Sequence, residues 1–109
     1  MTRVLALMGE LMDQSRVVAA VPGVEIVASA ADVAGADVVV VDLARHQGAL
    51  PEICRRAPDA WVVAYGPHVD AAALDDARAA GADRVLPRSR FFKDPAAALS
   101  RGDDLPTSR

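Results

Sequence analysis

Residues Ala36 to Leu43 read ADVVVVDL. Four successive valines, Val38 to Val41, leave no polar face, and such a β-branched run is the pattern of a strand covered on both sides, as at the centre of a parallel sheet. The run stops at Asp42, and no helical pattern resumes for several residues. A carboxylate at the carboxyl end of a central strand stands where open α/β sheets bind ligands.

Outward from this stretch, strands and helices alternate. Arg3–Met8 reads as a first strand. Glu10–Val21 has helical composition, with Leu11, Ser15 and Val18 on one stripe and Asp13 and Arg16 off it, and Pro22-Gly23 ends it. Val24–Ala28 is a second strand, and Ser29–Gly35 leaves room for barely two helical turns, with Ser29 placed to cap them. Beyond the central strand, Leu50, Ile53, Cys54 and Ala57 recur at i, i+3, i+4 and i+7, a helical stripe with Pro51 in its first turn. Ala60–Tyr65 is a fourth strand. Asp70 is placed to cap a helix over Ala71–Ala80 that ends at Gly81, and Arg84–Leu86 is a short fifth strand. Asp94-Pro95 opens a last helix over Pro95–Ser100, and residues 101–109 form a polar tail expected to fray.

Helix-to-strand junctions recur. Gly35-Ala36-Asp37, Pro58-Asp59-Ala60 and Gly81-Ala82-Asp83 start at positions 35, 58 and 81, spaced by 23 residues, which suits one strand plus one helix. Pro22-Gly23-Val24 precedes the first of them by only 13, so the second helix is stunted. Strict alternation implies right-handed crossovers and a three-layer, doubly wound α/β fold with a five-stranded parallel sheet, a single domain over 1–100.

The 109 residues include 23 alanines and 15 valines, so the core is built of small pieces. Trp61, Tyr65, Phe91 and Phe92 are the whole aromatic complement, too sparse for a base-stacking surface. A net charge of −3 gives no electrostatic footprint for nucleic acid or an anionic membrane. The lone Cys54 excludes an internal disulfide and a cysteine-rich zinc site, and its apolar helical position reads as an inert thiol. No apolar segment approaches a membrane span, and no basic leader precedes the first strand, so the expected location is the cytoplasm.

With VVVVDL ending at Asp42 and Leu43, AGADRVL from Ala80 to Leu86, RVLAL at the start and FFKDPAAAL near the end, nearly the whole chain resembles the receiver domain of bacterial response regulators. The resemblance implies strand order 2-1-3-4-5. It also implies five functional positions: an acid pair after the first strand and a phosphoacceptor aspartate after the third, which bind Mg²⁺, then a hydroxyl residue after the fourth and a lysine after the fifth. Asp42 matches the acceptor. The acid pair falls on Met8 and Gly9, with Glu10 one step on; the hydroxyl position falls on Gly66, or on Tyr65; the lysine falls on Arg88, with Ser89 in place of the usual proline. Mg²⁺ competes with its hydration shell only when carboxylates bring their charge, which methionine and glycine do not. Phosphoryl transfer is largely positioning and charge neutralisation, so the pocket reads as degenerate, with Arg88 able to hold an anion and Glu10 a substitute ligand.

Asp42 has a second reading, as a cap on the following turn or a partner of Arg88. His46 and His68 lack companions at ligand or triad spacing and read as solvated loop residues. Arg84, Arg88, Arg90 and Lys93 are either a solvated face or the border of a docking surface, with Phe91 and Phe92 its apolar anchors or else buried beneath the last helix. The resulting expectation is a non-enzymatic regulatory module without a cofactor, working through another signalling protein, with homodimerisation open. The alternative is a Rossmann-like nucleotide- or cofactor-binding domain, against which the first loop, MGELMDQ, lacks G-x-G-x-x-G.

Overall fold

A computed structural model describes residues 2–67 and 71–100 of the chain. β1 (Val4–Leu7), β2 (Glu25–Val27), β3 (Val38–Asp42), β4 (Trp61–Gly66) and β5 (Arg84–Pro87) form one parallel sheet in the order β2-β1-β3-β4-β5. That is the flavodoxin-like order, and it differs from the classic Rossmann order, in which strand 3 lies outside strand 2.

All five residues of β3 are buried, as the valine run requires. Val39 and Val41 enter one core with Leu5, Leu7, Val33, Leu50, Ile53, Val62, Ala64, Ala77 and Val85. Val38 and Val40 enter the other with Ala6, Met8, Val17, Val63, Tyr65, Phe91, Ala98 and Leu99. The first core lies under α3 (Leu50–Arg56) and α4 (Ala71–Ala79), the second under α1 (Leu11–Ala20), α5 (Arg88–Lys93) and α6 (Pro95–Ala98). The three-layer, doubly wound expectation holds.

The second crossover shrinks to one 3₁₀ turn, Ala30–Asp32, with Ser29 Oγ accepting from the Ala31 amide at 2.9 Å. The recurring Gly-Ala-Asp junctions acquire a physical meaning. Gly35 (φ 85°) and Gly81 (φ 116°) take the left-handed turn that returns each helix towards the sheet. The following alanines are buried. Asp37 then accepts from the Arg3 amide at 2.7 Å, and Asp83 from the Val62 amide at 2.8 Å. Each aspartate thus ties the start of a neighbouring strand to its own.

Three readings need correction. The inward stripe of α1 carries Asp13 and Val17, whereas Leu11 and Val18 face solvent; the helix is rotated because a partner elsewhere in the chain makes Asp13 tolerable inside. A helix does begin directly after Asp42: α2 (Leu43–His46) is a single turn, and Asp42 Oδ1 accepts from the Ala44 amide at 3.0 Å, satisfying a free N–H of that turn. Finally, Arg88–Lys93, to which the sequence pattern assigns no element, is a helix, α5; Asp94 separates it from α6 and caps the latter through the Ala97 amide at 3.2 Å. The last helix is short, as the cap-then-proline motif implies, and ends at Ala98. The Asp70 cap, His68 and the 101–109 tail lie outside the described residues. Among the described residues, no helix is long and apolar enough to cross a membrane.

Candidate functional site

At the carboxyl ends of the strands a cavity of about 170 Å³ is lined by, among others, Asp13, Asp42, Arg45, Tyr65, Gly66 and Arg88. Each element delivers one of these for a local reason. β3 ends at Asp42, paired in register with Tyr65 at the end of β4. α1 starts after the tip of β1 and carries Asp13 inward, and α5 starts with Arg88 immediately after β5.

Asp13 organises the site. Arg88 donates through Nη1 and Nη2 to its two carboxylate oxygens, a bidentate pair, and Tyr65 Oη donates to Asp13 Oδ2 at 3.4 Å. This fork geometry is specific to arginine and carboxylate. The hydrogen bond from Arg88 holds the Asp13 carboxyl below the usual carboxylate range, against the opposing effect of burial. The same bond pushes the Arg88 guanidinium further up. Aromatic packing fixes the other groups: Tyr65 stacks on Phe91 at 4.7 Å, Phe92 meets both rings edge-on, and the Arg88 guanidinium lies 4.8 Å from the Phe92 centroid.

Asp42 behaves differently. It is buried, and burial pushes its carboxyl up; the Ala44 amide works against this, and the negative charge of Asp13 adds to it. Arg88 is paired with Asp13, so the pairing of Asp42 with Arg88 is replaced by the capping contact. Tyr65 is pushed up by burial and then by Asp42 and Asp13, which keeps its hydroxyl protonated as a donor.

Two of the positions implied for metal binding, Met8 and Gly9, bring no carboxylate. Met8 is buried in the α1-side core. Gly9 carries no carboxylate, and a Cβ there would run into Arg45 Cδ. Glu10 lies 3.6 Å from Arg45 Nη2, so its charge is already met by a guanidinium. Among the described residues, no group of three or more His, Cys, Asp or Glu is placed to hold a metal ion. At Gly66 an added Cβ would fall 3.3 Å from Leu43 Cβ, which leaves a hydroxyl side chain little room.

The basic face is less free than its composition implies. Arg84 turns inward: Nη1 donates to the Ala98 carbonyl at 3.1 Å, and its guanidinium lies 5.6 Å from the Trp61 ring. Phe91 is fully buried and Phe92 partly so, because both rings fill the gap between Tyr65 and α5; Phe91 is therefore no surface anchor. Arg90 and Lys93 are exposed. His46 lies on α2, half-buried.

Sequence reasoning brings Asp42, Glu10, Gly66 and Arg88 to one mouth and misses Asp13 and Arg45. A signal for Asp13 existed: Asp13, Val17 and Val21 recur at i, i+4 and i+8, a second stripe competing with that of Leu11.

Searched against family models, the chain matches none. Nor does any curated protein match it. Solved structures do resemble it. A response regulator protein from Burkholderia pseudomallei, with a phosphorylated aspartic acid, calcium ion and citrate, superposes with a TM-score of 0.80 at 15% identity, over 95% of this chain and 69% of that one. A response regulator receiver domain protein from Clostridium thermocellum gives 0.71 at 19% identity, over 90% of each chain. A CheY-like protein (tadZ) from Pseudomonas aeruginosa PAO1 gives 0.69 at 18%, over 89% and 95%. The chain has the receiver fold.

Proposed function

We propose that this chain is a receiver-like regulatory module of bacterial signal transduction that acts through contact with another signalling protein, in the cytoplasm, and that Asp42 is not phosphorylated by the Mg²⁺-dependent route. One observation carries the reading: both arginines at the strand mouth already have carboxylate partners, neither of them Asp42. Arg88 is taken by Asp13, Arg45 by Glu10, and Asp42 caps α2. A receiver site that transfers phosphoryl groups needs an unmet carboxylate cluster for the metal and a free cation for the phosphoryl oxygens. Here the cluster lacks two carboxylates and the cation is engaged. The receiver fold supports the regulatory class, since a fold hosts function only through its site.

The test is an amide NMR titration with Mg²⁺, then with Mg²⁺ and beryllofluoride. The expected spectrum stays still at Glu10, Asp42 and Arg88. Saturable shifts at those residues that vanish in Asp42→Ala would refute the metal-independent reading.

A further inference from the structure

Three cations meet at one edge of the sheet with no carboxylate paired to them. Arg84 lies on β5, an edge strand, and Arg90 and Lys93 stand three positions apart on one face of α5. All three line an open depression of about 840 Å³, to which Leu86 and Ala97 add an apolar part. Among the described residues none of the three forms an ion pair. The one acid of the lining, Asp94, already accepts from the Ala97 amide through Oδ1. The wall therefore carries three positive charges against one negative, in a chain whose net charge is −3.

Arg84 sets the chemistry. Charged side chains on an edge strand usually reach into water, where they block pairing with another chain. Arg84 turns back towards α6 instead: Nη1 donates to the Ala98 carbonyl at 3.1 Å, and the guanidinium lies 5.6 Å from the Trp61 ring. Its Nη2 is buried and has no hydrogen-bond partner among the described residues. A buried N–H without an acceptor is an unfavourable state, and a small turn of the guanidinium towards an anion relieves it. The anchored side chain has also lost most of its rotamer freedom before any ligand arrives, so ordering it adds little to the cost of binding. Arg90 and Lys93 are exposed, with long stems able to close on the same anion from the solvent side. We propose that this depression binds the phosphate group of a small phosphorylated ligand, held by the Arg84 fork and closed over by Arg90 and Lys93, with the organic part of the ligand on Leu86 and Ala97. Three cations suit a doubly charged oxyanion better than a single carboxylate. The site shares no lining residue with the cavity at the strand mouth, so it is independent of the state of Asp42.

The probe is phenyl phosphate, a phosphate monoester with an apolar remainder, titrated into the isotope-labelled chain without any divalent cation. Benzoate and chloride at matched ionic strength are the comparators, and phosphatidylglycerol vesicles separate a free ligand from a lipid headgroup. Saturable amide shifts are expected over 84–86 and 90–98, with a midpoint of about 1 mM for phenyl phosphate and one about tenfold weaker for benzoate. The double variant Arg90→Ala/Lys93→Ala, at exposed positions and checked by thermal melting, is expected to weaken binding at least about tenfold. Arg84→Lys keeps the charge but loses the fork, and is expected to weaken it by a similar factor. Arg55→Ala, which removes an exposed cation from α3, is expected to leave it unchanged. Four results overturn the site: no saturable shift up to about 20 mM, an equal response to chloride, shifts centred on Asp42 and Arg88, or vesicle binding with no response to phenyl phosphate. The Mg²⁺ titration is read separately, so a silent phosphate titration removes this site and leaves the metal-independent reading of Asp42 standing.

Discussion

Replacing Arg88 by alanine would strand a carboxylate inside the α1-side core, and the size of the loss follows from the unequal burial of the pair. The Asp13 side chain keeps 2% of its exposure and that of Arg88 keeps 45%. Breaking a fully buried pair by removing one partner costs about 3–5 kcal/mol. Water reaches the space vacated by a half-exposed arginine, so Arg88→Ala is expected to cost roughly 2–3 kcal/mol at neutral pH, including its lost contact with Phe92. Asp13→Asn leaves a half-exposed guanidinium open to water, and the amide oxygen still accepts from Tyr65, so about 1 kcal/mol is expected. In the parent chain Asp13 has a depressed folded pKa; its stabilisation is present above the unfolded carboxyl value and is lost as pH falls through the folded one. In Arg88→Ala burial dominates and the sign reverses, so that variant recovers as pH falls towards about 4 and the carboxyl is neutralised. Urea unfolding at pH 7 and at about pH 4.5 measures both. Equal losses for the two variants, or a gap between Arg88→Ala and the parent that does not narrow on acidification, would refute the argument.

Asp42→Asn is expected to raise stability at pH 7 by about 0.5–1 kcal/mol, since the amide oxygen keeps the Ala44 contact and no charge is buried. The raised carboxyl stabilises fully below the unfolded value and loses that contribution as pH rises through the folded one, so the advantage in thermal melts should close by about pH 4; a lower midpoint at pH 7 would contradict this. Gly81→Val forces a side chain onto φ 116° and places Cβ 2.6 Å from Cys54 Sγ, so a loss of more than about 2 kcal/mol is expected by urea titration. Val40→Asp buries an unpaired charge between Ala6 and Val63, and circular dichroism should show no cooperative melt near that of the parent.

The fold was legible because it rests on local patterns. The Val38–Val41 run needs two covered faces wherever it lies, and Gly35 and Gly81 mark turns that only a residue free to take positive φ makes cheaply. The miscast elements are those in which polar groups decide. α2 exists because Asp42 satisfies one of its amides, and the turn of α1 was chosen by Asp13. Hydrophobic periodicity ranks Leu11, Ser15 and Val18 above Asp13 and Val17, since a carboxylate counts against burial until its partner is known.

That partner lies 75 positions away, and this separation explains why the sequence offers Arg88 to Asp42 and not to Asp13. The sheet brings the ends of β1, β3, β4 and β5 together, so Glu10, Asp42, Gly66 and Arg88 had to meet once the topology was known. Which carboxylate takes which cation depends on the rotation of α1 and on the aromatic packing that holds Arg88 against Phe92. Arg88 can form one bidentate pair. With Asp13 inside and its charge undissipated by water, the arginine goes there, and Asp42 is left to the Ala44 amide. Asp13 therefore bears on Asp42 in two ways, by its own negative charge and by holding Arg88. Neutralising Asp13 removes its charge and frees the arginine, and both changes are expected to lower the raised carboxyl of Asp42; the carboxyl carbon shift of Asp42 followed through a pH titration of Asp13→Asn reads it, and an unmoved midpoint would refute the coupling of the two carboxylates.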